Sequence, residues 1–275
     1  MKNLFLGIIS IMLLASCQQE YNTVFKSDDN QYKYEYAKEA YLHKKYARAT
    51  SLLEGLISYK KGTEQAEECL YMYAMSQYND KDYDGAALAF RKYFSTYPKG
   101  HYAEQACYYI GESLYQNTPE PRLDQTDTYS AISAFQNFLD HYPYSDNKEA
   151  AQYRLVELQD KLVLKELHSA ELYYDLGTYF GNCGRGENNY DACIITAQNA
   201  MKDYPYNTHR EEFAVLILKG KYELAGMSVD EKRLERYQDA EDEAYGFINE
   251  YPDSRHKEMA ERFIKKCKEV TGTKE

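Results

Sequence analysis

The sequence predicts an all-α fold, a solenoid of about five helix pairs closed by a C-terminal capping helix. The first observation behind this prediction is a Tyr-Pro dipeptide that occurs four times, each time before a polar run that ends in Ala. The second is another Tyr, fourteen or fifteen residues before each proline. The third is a set of mainly apolar residues three and seven positions after those tyrosines, which is the spacing of one helix face. The four prolines are Pro98, Pro143, Pro205 and Pro252.

The segment before each proline is predicted to be a helix of about four turns. Proline ends each of these helices, because it cannot continue a helix and disfavours helical geometry in the residue before it. The predicted helices begin near Tyr83, Tyr129, Tyr190 and Tyr237, with a fifth copy, lacking the proline, at Tyr46. The positions predicted to touch the paired helix are Ala49, Ala86, Ile132, Cys193 and Ala240.

The polar run after each proline predicts the start of the next helix. The oxygens of Ser145, Asn207 and Ser254 can accept the free N–H groups of a first helical turn. Each unit is then two helices with a proline at its exit, which is the tetratricopeptide plan with a period near 34 residues. The prolines lie farther apart than that period, so insertions are expected, including 116–127 and 228–236.

One segment predicts an unusually long helix. Residues 146–177 contain no Pro and no Gly before Gly177, so we expect a helix of roughly 30 residues, about 45 Å long. The Gly-rich stretch 181–189 then turns the chain. After Pro252 a last helix is expected to reach about Val270 and to cap the stack.

The N-terminus is of a different character from the rest of the chain. Lys2 is followed by an apolar stretch from Leu4 to Ala15, too short to span a bilayer comfortably and typical of a signal peptide. The sequence from Leu14 to Cys17 resembles a bacterial lipobox, which implies cleavage before Cys17 and lipid on that residue. The predicted organisation is a signal peptide (1–16), a lipidated tether (17–31), the solenoid (32–271) and a tail (272–275).

A lipid-anchored array of five helix pairs resembles the BamD family of outer-membrane lipoproteins. The resemblance is carried by the lipobox at Cys17, the Tyr-Pro seams, the segment 124–143 and most specifically the long-helix segment 154–174. In the last segment the family pattern is held by Arg154, Leu155, Leu158, Asp160, Leu162, Glu166, Ala170, Glu171 and Tyr173. The resemblance implies a scaffold on the periplasmic side of the outer membrane. It also implies that C-terminal units bind the periplasmic repeats of BamA and that N-terminal units meet unfolded barrel proteins.

Composition argues against several other functions. A net charge of −11 disfavours a nucleic-acid partner, since phosphate binding needs a basic face. No Cys-x-x-Cys, His-Glu-x-x-His, Gly-x-Ser-x-Gly or phosphate loop is present, so no catalytic, metal or cofactor site is predicted. Acidic runs such as Glu67-Glu68 are interpreted as solvated helix faces. Cys69 and Cys107, at equivalent positions, are interpreted as core residues, while a disulfide between Cys183 and Cys193 stays open.

The 31 tyrosines allow two interpretations: they fill gaps between helices, or some of them line a groove for a barrel protein's aromatic end signal. The segment from Arg255 to Lys268 is basic on an otherwise acidic chain. There Arg262, Lys265 and Lys266 are candidates for partner binding, or they solvate a capping helix and interact with its dipole. Two other functions remain alternatives, a glycan-binding SusD-like lipoprotein and a cell-envelope or peptidoglycan adaptor.

Overall fold

The computed structural model describes residues 19–179 and 188–272, and those residues are almost entirely helical. A short helix α1 covers residues 19–26. The remaining helices are α2 (Asn30–Leu42), α3 (Tyr46–Lys60), α4 (Ala66–Asn79), α5 (Tyr83–Thr96), α6 (Ala103–Gln116), α7 (Thr126–His141), α8 (Lys148–Leu176), α9 (Asn189–Asp203), α10 (Arg210–Gly226), α11 (Asp230–Glu250) and α12 (Lys257–Thr271). The predicted tetratricopeptide-like fold is confirmed: α2 to α11 form five pairs, and α12 follows them. No helix among these residues combines the length and the hydropathy needed to cross a membrane.

The four Tyr-Pro seams share one backbone geometry. Tyr97, Tyr142, Tyr204 and Tyr251 each cap the preceding helix with φ between −129° and −124° and ψ between 62° and 68°. Each tyrosine carbonyl then accepts the N–H three residues on, at 3.0 to 3.2 Å. Proline after such a tyrosine costs no hydrogen bond of the helix, because the helix has already ended.

The polar residues predicted as helix caps act one turn earlier than expected. The side-chain oxygens of Ser145, Asn207 and Ser254 accept the backbone N–H two residues ahead, at 2.8 to 3.0 Å. The following helices begin three residues after these side chains, at Lys148, Arg210 and Lys257. These oxygens therefore order the seam turn and do not cap the first helical turn.

The chain divides into two compact units. The first unit comprises 19–119 and 125–158 of the described residues. Each of its cores packs one helix pair against the first helix of the next pair. The first core contains Val24, Tyr34 and Leu53, the second Ala86, Phe90 and Tyr93, and the third Phe135, Phe138 and Leu158. Aromatic rings fill these cores, and Tyr34 and Tyr93 are fully buried. The gap-filling interpretation therefore holds for these tyrosines.

The third pair corrects the predicted register. Tyr129 is 57 % exposed, while Thr128, Ala131 and Phe135 are fully buried. Thr128 lies fifteen residues before Pro143, the same interval that separates Tyr83 from Pro98, so it takes the place of the tyrosine. The inward positions are thus Ala131 and Phe135, one residue before Ile132 and Gln136.

The second unit comprises 120–124, 159–179 and 188–272 of the described residues. Its largest core joins α8, α9 and α10 through Leu167, Ala170, Cys193 and Phe213, and a second core joins α10, α11 and α12 through Leu218, Phe247 and Ile264. Cys193 is fully buried in the first of these cores. Cys183, its possible disulfide partner, lies outside the described residues, as does Cys17.

The long helix is confirmed. Helix α8 has 29 residues, with its first part in the first unit and its second part in the second. Helix α11 is also longer than its counterparts, because the charged segment from Asp230 to Arg236 continues as helix. Helix α12 ends at Thr271, and Gly272 follows in a left-handed conformation with φ 72°.

Candidate interaction surfaces

The basic segment predicted for partner binding forms one side of α12. Ala260, Ile264 and Cys267 face the core, so the opposite side of the helix points outward. Arg262, Lys265 and Lys266 are all exposed on it. No ion pair involves these three side chains within residues 19–179 and 188–272, although the Lys266 ammonium lies 6.0 Å from the centroid of the Tyr222 ring. We call these three residues the α12 basic face.

Acidic residues interrupt the α12 basic face more than the sequence segment suggested. Glu258 and Glu261 lie one turn before Arg262 and Lys265, and Glu269 lies one turn after Lys265. All three glutamates are exposed. The three glutamates match the three cations of the face, so the outward side is of mixed charge; only over the whole helix do five basic residues outnumber three acidic ones.

A groove adjoins this helix at the fourth Tyr-Pro seam, that of Pro252. It has a volume of about 570 Å³ and is lined by residues 251–256 with Glu211, Glu212 and Val215 of α10. The Ser254 hydroxyl crosses it and donates to a Glu211 carboxylate oxygen at 2.6 Å. The groove carries both signs of charge beside apolar groups of Val215, Tyr251 and Pro252, and it is open to solvent, so it resembles a surface contact site more than an enclosed ligand pocket.

The same Ser-to-Glu contact recurs in the first unit. Ser145 at the seam after α7 donates to Glu104 at the start of α6, at 2.5 Å. At the equivalent place one pair earlier, the Tyr93 hydroxyl donates to Glu67. Glu67 was expected on a solvated face, and so was Glu68. Glu67 is instead half-buried against Tyr93, while Glu68 accepts from the Tyr34 hydroxyl at 2.7 Å with its side chain still 40 % exposed.

A polar network between α6 and α8 in the first unit was not predicted from the sequence. The Arg154 guanidinium donates to both carboxylate oxygens of Glu112, at 3.2 and 2.9 Å, and to Glu157 at 2.9 Å. It also lies 4.1 Å from the centroid of the Tyr115 ring, and the Tyr115 hydroxyl donates to Glu157 at 3.0 Å. Burial alone would lower the pKa of Arg154, but the hydrogen bonds to the two carboxylates outweigh it and raise that pKa.

This network gives the family-pattern residue Arg154 a structural role. The Glu112 side chain is only 7 % exposed, and a carboxylate so buried needs a paired cation. Leu158, Leu162 and Ala170 of the same pattern are buried in cores. Most residues of the family pattern are therefore explained by the packing of α8 against its neighbours. The exposed members, such as Glu171, are the ones available for contacts.

A second groove lies on the later part of α8. It has a volume of about 390 Å³, and the insertion residue Arg122 lines it together with Lys165, His168 and Leu172. The His168 ring and Glu171 are 3.1 Å apart. Across the part of the chain that the structure describes, no group of three or more His, Cys, Asp or Glu residues could hold a metal ion. The arrangement on both grooves is suited to surface recognition.

Two comparisons with known proteins indicate the family of this chain. The family model for outer membrane lipoproteins, YfiO, matches residues 26–235. A protein of Aquifex aeolicus (strain VF5), provisionally named outer membrane protein assembly factor BamD, is 27 % identical over 146 residues. That match covers 52 % of this chain and 48 % of the relative, about half of each.

The family match ends inside α11. It includes the first four helix pairs, the groove on α8 and the Arg154 network, but it leaves out the seam at Pro252 and α12 with its basic face. Because the matched region covers most of the sequence, the chain belongs to the YfiO family of outer membrane lipoproteins.

Proposed function

We propose that this chain is a lipoprotein scaffold of the machinery that inserts β-barrel proteins into the outer membrane. In this proposal Cys17 carries the lipid, the solenoid faces the periplasm, and its surfaces bind the periplasmic repeats of BamA and nascent barrel proteins. The observation that carries the proposal is the family match over 26–235, which falls on a tetratricopeptide-like array. The name of the Aquifex relative adds the assembly role.

A binding role also suits the chemistry of the described surface. Helical-repeat arrays present extended faces that bind peptides and domains. The polar clusters here have structural partners: Arg154 pairs with Glu112, and Ser254 pairs with Glu211. These contacts hold helices together and leave no activated nucleophile or general base among the groups named here.

The α12 basic face is our candidate for docking BamA. This candidate is supported by the position of three basic residues together on a chain whose net charge is −11. A partner with an acidic face would be attracted to these residues. The face lies beyond the family match, so its role is a property to test on this chain. Charge of this kind acts mainly on the association rate and on its salt dependence.

The test compares two charge reversals. In the first variant Arg262, Lys265 and Lys266 are changed to Glu. In the matched control the same number of exposed cations on the first unit is reversed, namely Arg91, Lys92 and Lys99. Lys38 is unsuitable as a control because it pairs with Glu68 at 3.0 Å.

Binding of each variant to purified BamA periplasmic repeats is measured by stopped flow at two salt concentrations. We expect the first variant alone to associate about tenfold more slowly at low salt, with the defect shrinking as salt screens the charges. Equal rates for both variants would remove the α12 basic face from the interface.

A further inference from the structure

Helix α1 occupies part of the segment 17–31, which is predicted to be a lipidated tether. Val24 of α1 is fully buried in the core of the first helix pair. The Tyr21 ring lies 6.4 Å from the Tyr36 ring, and the Arg48 guanidinium lies 5.1 Å from the Tyr21 ring. These contacts fix α1 on α2 and α3.

The link from α1 to α2 is equally ordered. The Ser27 N–H donates to the Val24 carbonyl at 3.0 Å, and the Asp29 carboxylate accepts the N–H groups of Gln31 and Tyr32 at the start of α2. The described part of the predicted tether is thus a folded extension of the first pair.

This extension leaves little chain between the anchor position and the folded unit. Two peptide steps from Cys17 to Gln19 span at most about 7 Å, and the eight residues of α1 add about 12 Å. A free chain from residue 17 to residue 31 would instead reach up to about 50 Å. A lipid on Cys17, which is part of the proposed function, therefore holds the first helix pair close to the bilayer.

The surface near this anchor carries residues suited to a membrane interface. Phe25 is 49 % exposed and Tyr32 is 47 % exposed, and Lys26, which follows Phe25 in the sequence, is also exposed. Aromatic rings favour the headgroup region, and lysine can extend its ammonium to the phosphates. The exposed acids Glu20, Asp28 and Asp29 offset the positive charge. The aromatic rings and the anchor, and not net charge, would then govern the contact.

We propose that α1 and the start of α2 rest in the headgroup region of the bilayer, with Phe25 and Tyr32 at the interface. The lipid anchor then sets the orientation of the first helix pair as well as its location. The occupant of this surface is a phospholipid interface. The proposal rests on the lipid at Cys17 and adds a second, protein-mediated contact to it.

The chain contains no Trp, so one introduced Trp reports on one position. The full-length lipidated protein is reconstituted into phosphatidylcholine vesicles containing brominated phosphatidylcholine. Three variants are compared: Phe25→Trp, Tyr32→Trp and the control Tyr144→Trp. Tyr144 is 97 % exposed and follows Pro143 at the seam after the third pair. We expect brominated lipid to reduce the emission of the first two about twofold, also at high salt, and to leave the control unchanged.

A linker variant separates the anchor from the orientation. A flexible Gly-Ser insert of about twelve residues between Gln18 and Gln19 keeps the lipid but frees the first pair. It should still sediment with vesicles, while bromine quenching of the Phe25→Trp chain falls to the level of the control. Retained quenching in the linker variant would overturn the role of the short connection.

The membrane contact of α1 and the lipid anchor on Cys17 can be refuted separately. Equal quenching in all three Trp variants, with normal sedimentation, would overturn the membrane contact of α1 and leave the lipoprotein assignment intact. A full-length chain that does not sediment with the vesicles would refute the anchor, and both proposals would fall with it.

Discussion

Replacement of Arg154 should show how much the α6–α8 network contributes to the stability of the first unit. In Arg154→Met the Glu112 carboxylate, 7 % exposed, loses both of its hydrogen bonds to the guanidinium. Removing one partner of a buried ion pair typically costs roughly 3–5 kcal/mol, because the other charge stays buried and unpaired. The Arg154 side chain is 27 % exposed, so water can reach part of the site. We therefore expect a loss of about 3 kcal/mol in the free energy of unfolding.

The assay is urea unfolding followed by far-ultraviolet circular dichroism, in a Cys17→Ala background that purifies without detergent. Arg91→Ala is the control, since Arg91 is an exposed arginine of the same unit and should change stability by less than about 0.5 kcal/mol. The double variant Arg154→Met, Glu112→Gln should recover part of the loss, because it leaves no unpaired buried charge. A loss below about 1 kcal/mol for Arg154→Met, or no recovery in the double variant, would refute the reasoning.

The remaining predictions concern packing, thiol chemistry and pH. An added Cβ at Gly111 would lie 2.8 Å from the buried Phe135 ring, whereas one at Gly55 meets nothing within 4 Å. We therefore expect Gly111→Ala to lower the free energy of unfolding and Gly55→Ala to raise it, the latter by about 0.5–1 kcal/mol. A change of the same sign in both variants would contradict this. Burial raises the pKa of four thiols to about 11 or 12. These thiols are Cys69, Cys107, Cys193 and Cys267. In a variant that lacks Cys17 and Cys183, a disulfide reagent at pH 8 should therefore label the four thiols only when the chain unfolds. Rapid labelling of the native chain would contradict their burial. The Tyr34 hydroxyl, and then Lys38, hold the pKa of Glu68 below its ordinary value. That contribution to stability is present above about pH 4.5 and is lost as the pH falls through the lowered pKa, so the stability gap between wild type and Tyr34→Phe should narrow from pH 7 to pH 3. A gap that widens on acidification would reverse the sign of this argument.

The periodic features of the fold could be predicted from the sequence, because they depend on neighbours along the chain. Proline position and apolar spacing fix where α5, α9 and α11 end and which of their faces is buried. The absence of Pro and Gly predicts α8 in the same way. At Tyr129 the recurring tyrosine misleads, because the interval of fifteen residues to Pro143 marks the buried position at Thr128.

The contacts between helices could not be predicted in this way. The Glu112–Arg154 pair and the contact of Gly111 with Phe135 depend on how α6 lies on its neighbours, and no local pattern encodes that geometry. Two lysines in tight turns, Lys44 with φ 59° and Lys81 with φ 68°, were also missed, since this left-handed conformation usually selects Gly or Asn. The residues that join pairs are the least visible in the sequence.

The candidate surfaces were predicted only in part. The exposed basic residues of α12 follow directly from its amphipathic pattern, but their acidic neighbour Glu269 lies just beyond the basic segment that ends at Lys268. The folded α1 was not anticipated, because eight residues with a single buried side chain, Val24, carry too little periodicity to be recognised.

The central claim, a scaffold role in outer-membrane barrel assembly, is tested most directly by its partners in the cell. The full-length chain with a C-terminal affinity tag is purified from detergent-solubilised envelopes of its own organism, beside the Cys17→Ala variant as a control for membrane attachment. The account predicts that a BamA-type barrel protein with periplasmic repeats co-purifies in near-equal amount with the lipidated chain. Recovery of division or peptidoglycan proteins, or of a glycan transporter, without any BamA-type protein would contradict it.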